Sequence, residues 1–163
     1  MRATWTRQTV GVVLSVACAV MLGVATGAQA PDPLVGTWKL DVAKSTYKPG
    51  PAPKSATVVI TAAGKGLNIA VDAVGGDGKP LKWSYANNRD GKDTPVTGNP
   101  AYDTVMVAQT SPTEGTITYK KGGKAIATAK TSLSKDGKTL TVTTTGTDPM
   151  GQAMNNVALY TRQ

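Results

Sequence analysis

The segment Leu67-Asn68-Ile69-Ala70-Val71-Asp72-Ala73 and, a short turn later, Leu81-Lys82-Trp83-Ser84-Tyr85 decide the fold class. Leu67, Ile69 and Val71 fall on one side of an extended chain and Asn68 and Asp72 on the other, because successive side chains of a strand point to opposite faces. Leu81, Trp83 and Tyr85 repeat the pattern against Lys82 and Ser84. Gly76-Asp77-Gly78-Lys79 lies between them and supplies the positive φ of a hairpin turn. Such a hairpin cannot bury its apolar face alone and needs further strands.

Working outward, the same period of two returns along the chain, with turn residues every eight to twelve positions. It predicts about nine strands: Gly36–Val42, Thr57–Ala62, Leu67–Ala73, the Leu81–Tyr85 stretch, Thr104–Gln109, Thr116–Lys120, Lys124–Ser134, Thr139–Thr145 and Asn156–Arg162. Trp38, Leu40 and Val42 in the first strand and Leu159 in the last are placed on the inner face. Ala63-Gly64-Lys65-Gly66, Asp90-Gly91-Lys92, Lys121-Gly122-Gly123 and Asp136-Gly137-Lys138 are read as connecting turns. Each Asp-Gly-Lys turn offers one carboxylate, too few for calcium. Only Val42–Tyr47 leaves room for a single helical turn, ahead of the stiff Pro49-Gly50-Pro51-Ala52-Pro53 run. Periodicity alone leaves a closed barrel and two stacked sheets both open.

The first 28 residues are expected to lie outside this fold. Arg2 and Arg7 precede an apolar run, Val10–Val24, which is shorter than a membrane-spanning helix requires, and Ala25-Thr26-Gly27-Ala28-Gln29-Ala30 follows. This is the pattern of a secretory signal peptide, with cleavage after Ala28 preferred to Ala30 because Pro31 would obstruct the second site. An uncleaved anchor is the alternative, and lipidation at Cys18 a lesser one because Ser15 occupies a position that signal fills with a leucine-like residue. The expected mature domain spans residues 34–163, exported to the periplasm or beyond the cell, and without a thiol.

Composition removes several kinds of chemistry. With no histidine and one cysteine among 163 residues, the chain has no Ser-His-Asp triad, no histidine metal site and no internal disulfide. Neither a metal, a cofactor nor a catalytic residue is assigned. Lys plus Arg is 18 against 10 Asp plus Glu, a net charge of +8. The lysines are scattered singly among threonines, as on a solvated outer face, so nucleic acid is not an expected partner. The alternating Thr139, Thr141, Thr143 and Thr145 suit cross-strand packing.

Leu34-Val35-Gly36-Thr37-Trp38-Lys39-Leu40 resembles the opening Gly-x-Trp strand of lipocalins and fatty-acid-binding proteins. Asn156-Val157-Ala158-Leu159-Tyr160-Thr161-Arg162 resembles the strand that closes their barrel. The region from Leu34 to Gln163 is also similar to secreted bacterial lipocalin-like proteins through Ala43-Lys44-Ser45, Pro49-Gly50-Pro51, Asp90-Gly91-Lys92 and Thr97-Gly98-Asn99-Pro100. The resemblance implies an all-β, antiparallel up-and-down barrel of about eight to ten strands. It implies closure through Gly36, Trp38, Tyr160 and Arg162, with Arg162 stacked on Trp38. One departure is informative: aligned on Tyr160, Ala158 stands where fatty-acid-binding proteins carry the arginine of an Arg-x-Tyr carboxylate clamp.

The function expected is non-catalytic binding of a small, largely apolar ligand inside a monomeric barrel. Trp83, Tyr85 and Tyr119 are the candidate lining residues because each joins apolar area to a polar group. Arg89 is placed with them, at the start of a polar stretch running to Asp103 that is read as the barrel mouth and includes Asp93 and Asn99. The rival from another class is a solid barrel or sandwich that acts through its outer surface as an interaction or inhibitor module. An enzyme is the least favoured, since the carboxylates fall in turns and on polar faces.

Overall fold

The computed structural model describes residues 31–148 and 151–163; the signal peptide expected over residues 1–28 lies outside them. Eleven strands form one antiparallel sheet: β1 (Gly36–Leu40), β2 (Thr46–Lys48), β3 (Ser55–Ala63), β4 (Gly66–Val74), β5 (Pro80–Asn87), β6 (Asp90–Pro95), β7 (Thr104–Ser111), β8 (Glu114–Lys121), β9 (Lys124–Leu133), β10 (Thr139–Thr147) and β11 (Ala153–Arg162). β2 aside, the strands follow chain order around the sheet from β6 through β11 to β1 and on to β5. The first strand therefore pairs with the last, Trp38 opposite Arg162 and Leu40 opposite Tyr160. The two remaining edges, β5 and β6, meet through a single bridge in which Ser84 and Thr97 exchange backbone hydrogen bonds at 2.9 Å. The result is an up-and-down barrel of ten wall strands, closed tightly at β1–β11 and narrowly at β5–β6.

Four sequence expectations need correction. The strands among the described residues number eleven, because the short polar segments Thr46–Lys48 and Asp90–Pro95 carry too little apolar alternation to announce themselves. Asp90-Gly91-Lys92 is accordingly the irregular start of β6, with a register shift before Asp93, and not a connecting turn. Val42 does not continue β1 on the inner face: a 3-10 turn spans Val42–Lys44, capped by the Asp41 carboxylate, and leaves Val42 38% exposed. Leu159 faces outward, because pairing of Tyr160 with Leu40 and Leu140 turns Ala158, Tyr160 and Arg162 inward.

That 3-10 turn lets one long strand be covered by two short ones. β11 pairs with β1 over its last residues and with β2 over Asn155–Val157. Between them Ser45 replaces the missing ladder: its hydroxyl accepts from Leu159 N–H at 3.0 Å and donates to the Asp41 carbonyl at 2.7 Å.

The core follows the alternation. Trp38, Ile60, Leu67, Ile69, Tyr85, Val105, Val107, Leu133 and Leu140 are buried together, with Trp38 and Val105 at 0% exposure. No described helix is long and apolar enough to cross a membrane.

Candidate functional site

Chain parity sorts the barrel into two ends. Four wall strands, an even number, separate the start of β1 from the β5–β6 turn, so Leu34, Arg89, the β7–β8 turn and Arg162 gather at one end. The 96–103 loop lies at the other.

At the first end Trp38 and Arg162 build a seal. The Arg162 guanidinium lies 4.2 Å from the Trp38 ring centroid. Its nitrogens donate to the carbonyls of Gly137 (2.8 Å), Val35 (2.7 Å) and Pro33. Trp38 Nε1 donates to the Leu34 carbonyl at 2.9 Å. Gly36 is required there: with φ +149°, a Cβ would stand 2.6 Å from Arg162 Nη1. Tyr160, half-buried beside Leu40 in the register, packs against the core from β11.

At the other end the expected open mouth is a plug. Val96 N–H bonds to the Asp103 carbonyl at 2.8 Å, and Asp103 N–H to the Lys120 carbonyl at 3.0 Å. Asn99 accepts from Ala101 N–H, and the Asp103 carboxylate from Gly122 N–H. Gly98 crosses so near β5 that a Cβ would lie 2.3 Å from the Lys82 carbonyl. The loop so pinned drives Tyr102 into the barrel, where it packs edge-on against Trp83 (centroids 5.4 Å) and tilted against Tyr119 (4.7 Å). Trp83 in turn stacks on Tyr85 at 5.7 Å. Of the polar residues grouped between Arg89 and Asp103, Asp93 instead pairs with Lys120 at 2.7 Å, and Asn99 and Asp103 brace their own loop. Arg89 alone of the four faces the interior. The stretch misled as a single loop because β6 divides it and carries its ends to opposite ends of the barrel.

Between seal and plug lies a cavity of about 140 Å³. Its walls are Val58, Ile60, Leu67, Ile69, Val107 and Ile117, with Trp83, Tyr85, Tyr119 and Tyr160 around them. The interior is hollow, close in size to an engineered cavity of ~150 Å³ that admits benzene. The absence of phenylalanine helps to explain the space, and among the lining residues Gly115 contributes no side chain at all.

Besides the tyrosine hydroxyls and the Trp83 indole, polar side chains reach the cavity from the first end. Asn87, Arg89, Gln109, Glu114 and Thr131 line the cavity there, Gln109 and Glu114 being exposed at its rim. Asn87 Oδ1 accepts from Arg89 N–H at 3.0 Å, which fixes a turn where Arg89 adopts φ 58°. The Arg89 side chain is 15% exposed; its Nη2 lies 2.6 Å from Asp32 Oδ2. Nε and Nη1 are buried and no acceptor reaches them among the described residues. Buried donors left in that condition cost about 1–3 kcal/mol each, and more on a charged group.

Burial raises the phenol pKa of Tyr85, Tyr102, Tyr119 and Tyr160 well above the ordinary range, with mutual repulsion among the rings adding to it for all but Tyr85. They are neutral hydroxyls at physiological pH. No described trio of acidic or thiol side chains is placed to hold a metal ion.

Sequence reasoning placed Trp83, Tyr85, Tyr119 and Arg89, and the structure brings all four to this cavity. It missed Asn87, Gln109 and Thr131, although two-residue steps from Tyr85 and Val107 reach the first two. Tyr102 had no signal, because a loop residue carries no period.

Fold and cavity together define an antiparallel up-and-down barrel with an apolar interior. No protein-family profile matches the chain, and no curated protein matches it. A solved structure described as the siderocalin Ex-FABP, which functions through dual ligand specificities, is similar over 80% of this chain and 74% of its own, at 16% identity and a TM-score of 0.35. The fold assignment rests on strand order and register.

Proposed function

We propose that this protein sequesters a small, largely apolar molecule inside its barrel, without catalysis. The supporting observation is the apolar cavity of about 140 Å³ between the Trp38–Arg162 seal and the Tyr102 plug. Burial of apolar ligand surface supplies affinity at ~25 cal/mol per Å², and a few polar groups select the ligand. The proposal includes export: residues 1–28 are removed and a monomer works in the periplasm or outside the cell, as the charged, apolar and small-residue order of the N-terminus supports. Neither nucleic acid nor a membrane is a partner in this reading.

Titration with toluene, followed by Trp83 fluorescence and by amide NMR shifts of β7 and β8, tests the cavity. A saturable response is expected. Replacing Ile117 by Trp should fill the space and abolish it while leaving the circular dichroism of the barrel intact. A linear, non-saturating response in the unaltered protein would overturn the proposal. N-terminal sequencing of the exported protein tests cleavage after Ala28.

A further inference from the structure

Building on the cavity, we infer that its ligand is an anion, an apolar body carrying a carboxylate-like head that is held by Nε and Nη1 of Arg89. A neutral hydrocarbon would leave both nitrogens buried and without an acceptor. A ligand oxygen would satisfy them with charge-assisted hydrogen bonds, which are roughly twice as strong as neutral ones.

The geometry gives Arg89 this capacity because its two roles use different atoms. Nη2 is engaged by Asp32 at 2.6 Å, which anchors the side chain and the segment before β1. The other two nitrogens retain their donors. Asn87 holds the Arg89 backbone from within the same wall, so the guanidinium is presented by a fixed turn. A preorganised donor loses little freedom when it binds.

The charged groups facing this place are Asp32 and Glu114. Asp32 is committed to Nη2, and its single charge balances that of Arg89. Glu114 lies at the exposed rim, where water and salt screen it. Burial therefore favours an acceptor at Nε and Nη1 over a cation at the rim. The site is also distinct from the clamp implied for fatty-acid-binding proteins on the closing strand: here that position is Ala158, and the cation comes from the β5–β6 turn, on the far side of the barrel wall order. The cavity's size suits one ring or a short chain.

The test compares benzoate with toluene by calorimetry and amide NMR shifts. Arg89→Gln removes both donors; Arg89→Lys keeps a charge for Asp32 while losing them, and so guards against loss of the fold. Benzoate affinity should fall at least about tenfold in Arg89→Gln and by a smaller factor in Arg89→Lys, with toluene affinity within about twofold of the unaltered protein in both. Asp32→Asn should tighten benzoate and leave toluene unchanged. Should toluene bind while benzoate does not, or should both probes lose affinity alike in Arg89→Lys, the anion assignment fails and the cavity proposal stands. Should neither bind the unaltered protein, both fail.

Discussion

Arg162 does the work of several residues at the place where the chain closes on itself. It stacks on Trp38 and donates to the carbonyls of Gly137, Val35 and Pro33, which belong to the β9–β10 turn and the approach to β1. Arg162→Ala orphans these carbonyls and uncovers Trp38, so urea unfolding should show a loss of about 2–4 kcal/mol. Gly36→Ala places a methyl against the same guanidinium, which is held on three sides and cannot swing away. We expect about 1–3 kcal/mol of destabilisation. Since both changes act on one contact, the double variant should lose clearly less than the sum of the two, a coupling that a double-mutant cycle measures.

Among elements, the seams differ in strength. β10 and β11 share a ladder from Thr139 to Thr147, whereas β5 and β6 are joined by the Ser84–Thr97 bridge. Local opening should begin where backbone bonds are fewest. Native-state hydrogen exchange at the Ser84 and Thr97 amides is therefore expected to be at least about tenfold faster than at Ile60 and Ile69 within the β3–β4 ladder. Equal rates would mean that the barrel opens elsewhere. The gap filled by Ser45 is a second test at this scale. Ser45→Ala leaves Leu159 N–H without its acceptor and should cost about 1–2 kcal/mol in denaturant unfolding, with Ser45→Thr retaining most of the loss-free stability.

For the molecule as a whole, alkaline pH is the informative stress. Burial raises the phenol pKa of all five tyrosines, Tyr47 included. The folded state keeps its phenols protonated where the unfolded chain begins to lose them, near pH 10. Stability is fully present below that pH and declines above it, by up to about 1.4 kcal/mol per pH unit for each buried phenol. Tyrosinate absorbance should therefore appear together with loss of near-ultraviolet circular dichroism in one cooperative step. A tyrosinate step near pH 10 with the fold intact would show that some of these rings reach water.

Much of this architecture was legible in order along the chain. The alternation in Leu67–Ala73 and Leu81–Tyr85 specifies strands, and the Gly-containing turns between strands specify antiparallel neighbours, because both depend on contacts within a few residues. Closure through Trp38 and Arg162 was implied by the resemblance of the two terminal strands and not by the alternation itself. Local pattern is silent on quantities set by the whole packing. Whether the barrel is hollow depends on which side chains, and at Gly115 the lack of one, meet in the same space. That Tyr102 plugs one end depends on bonds from its loop to β5 and β8. Arg89 could be named as a residue of interest, but the burial of two of its nitrogens beside an apolar cavity arises only when β5, β7, β8 and the segment around Asp32 converge, since solvent exclusion is a property of the assembled barrel.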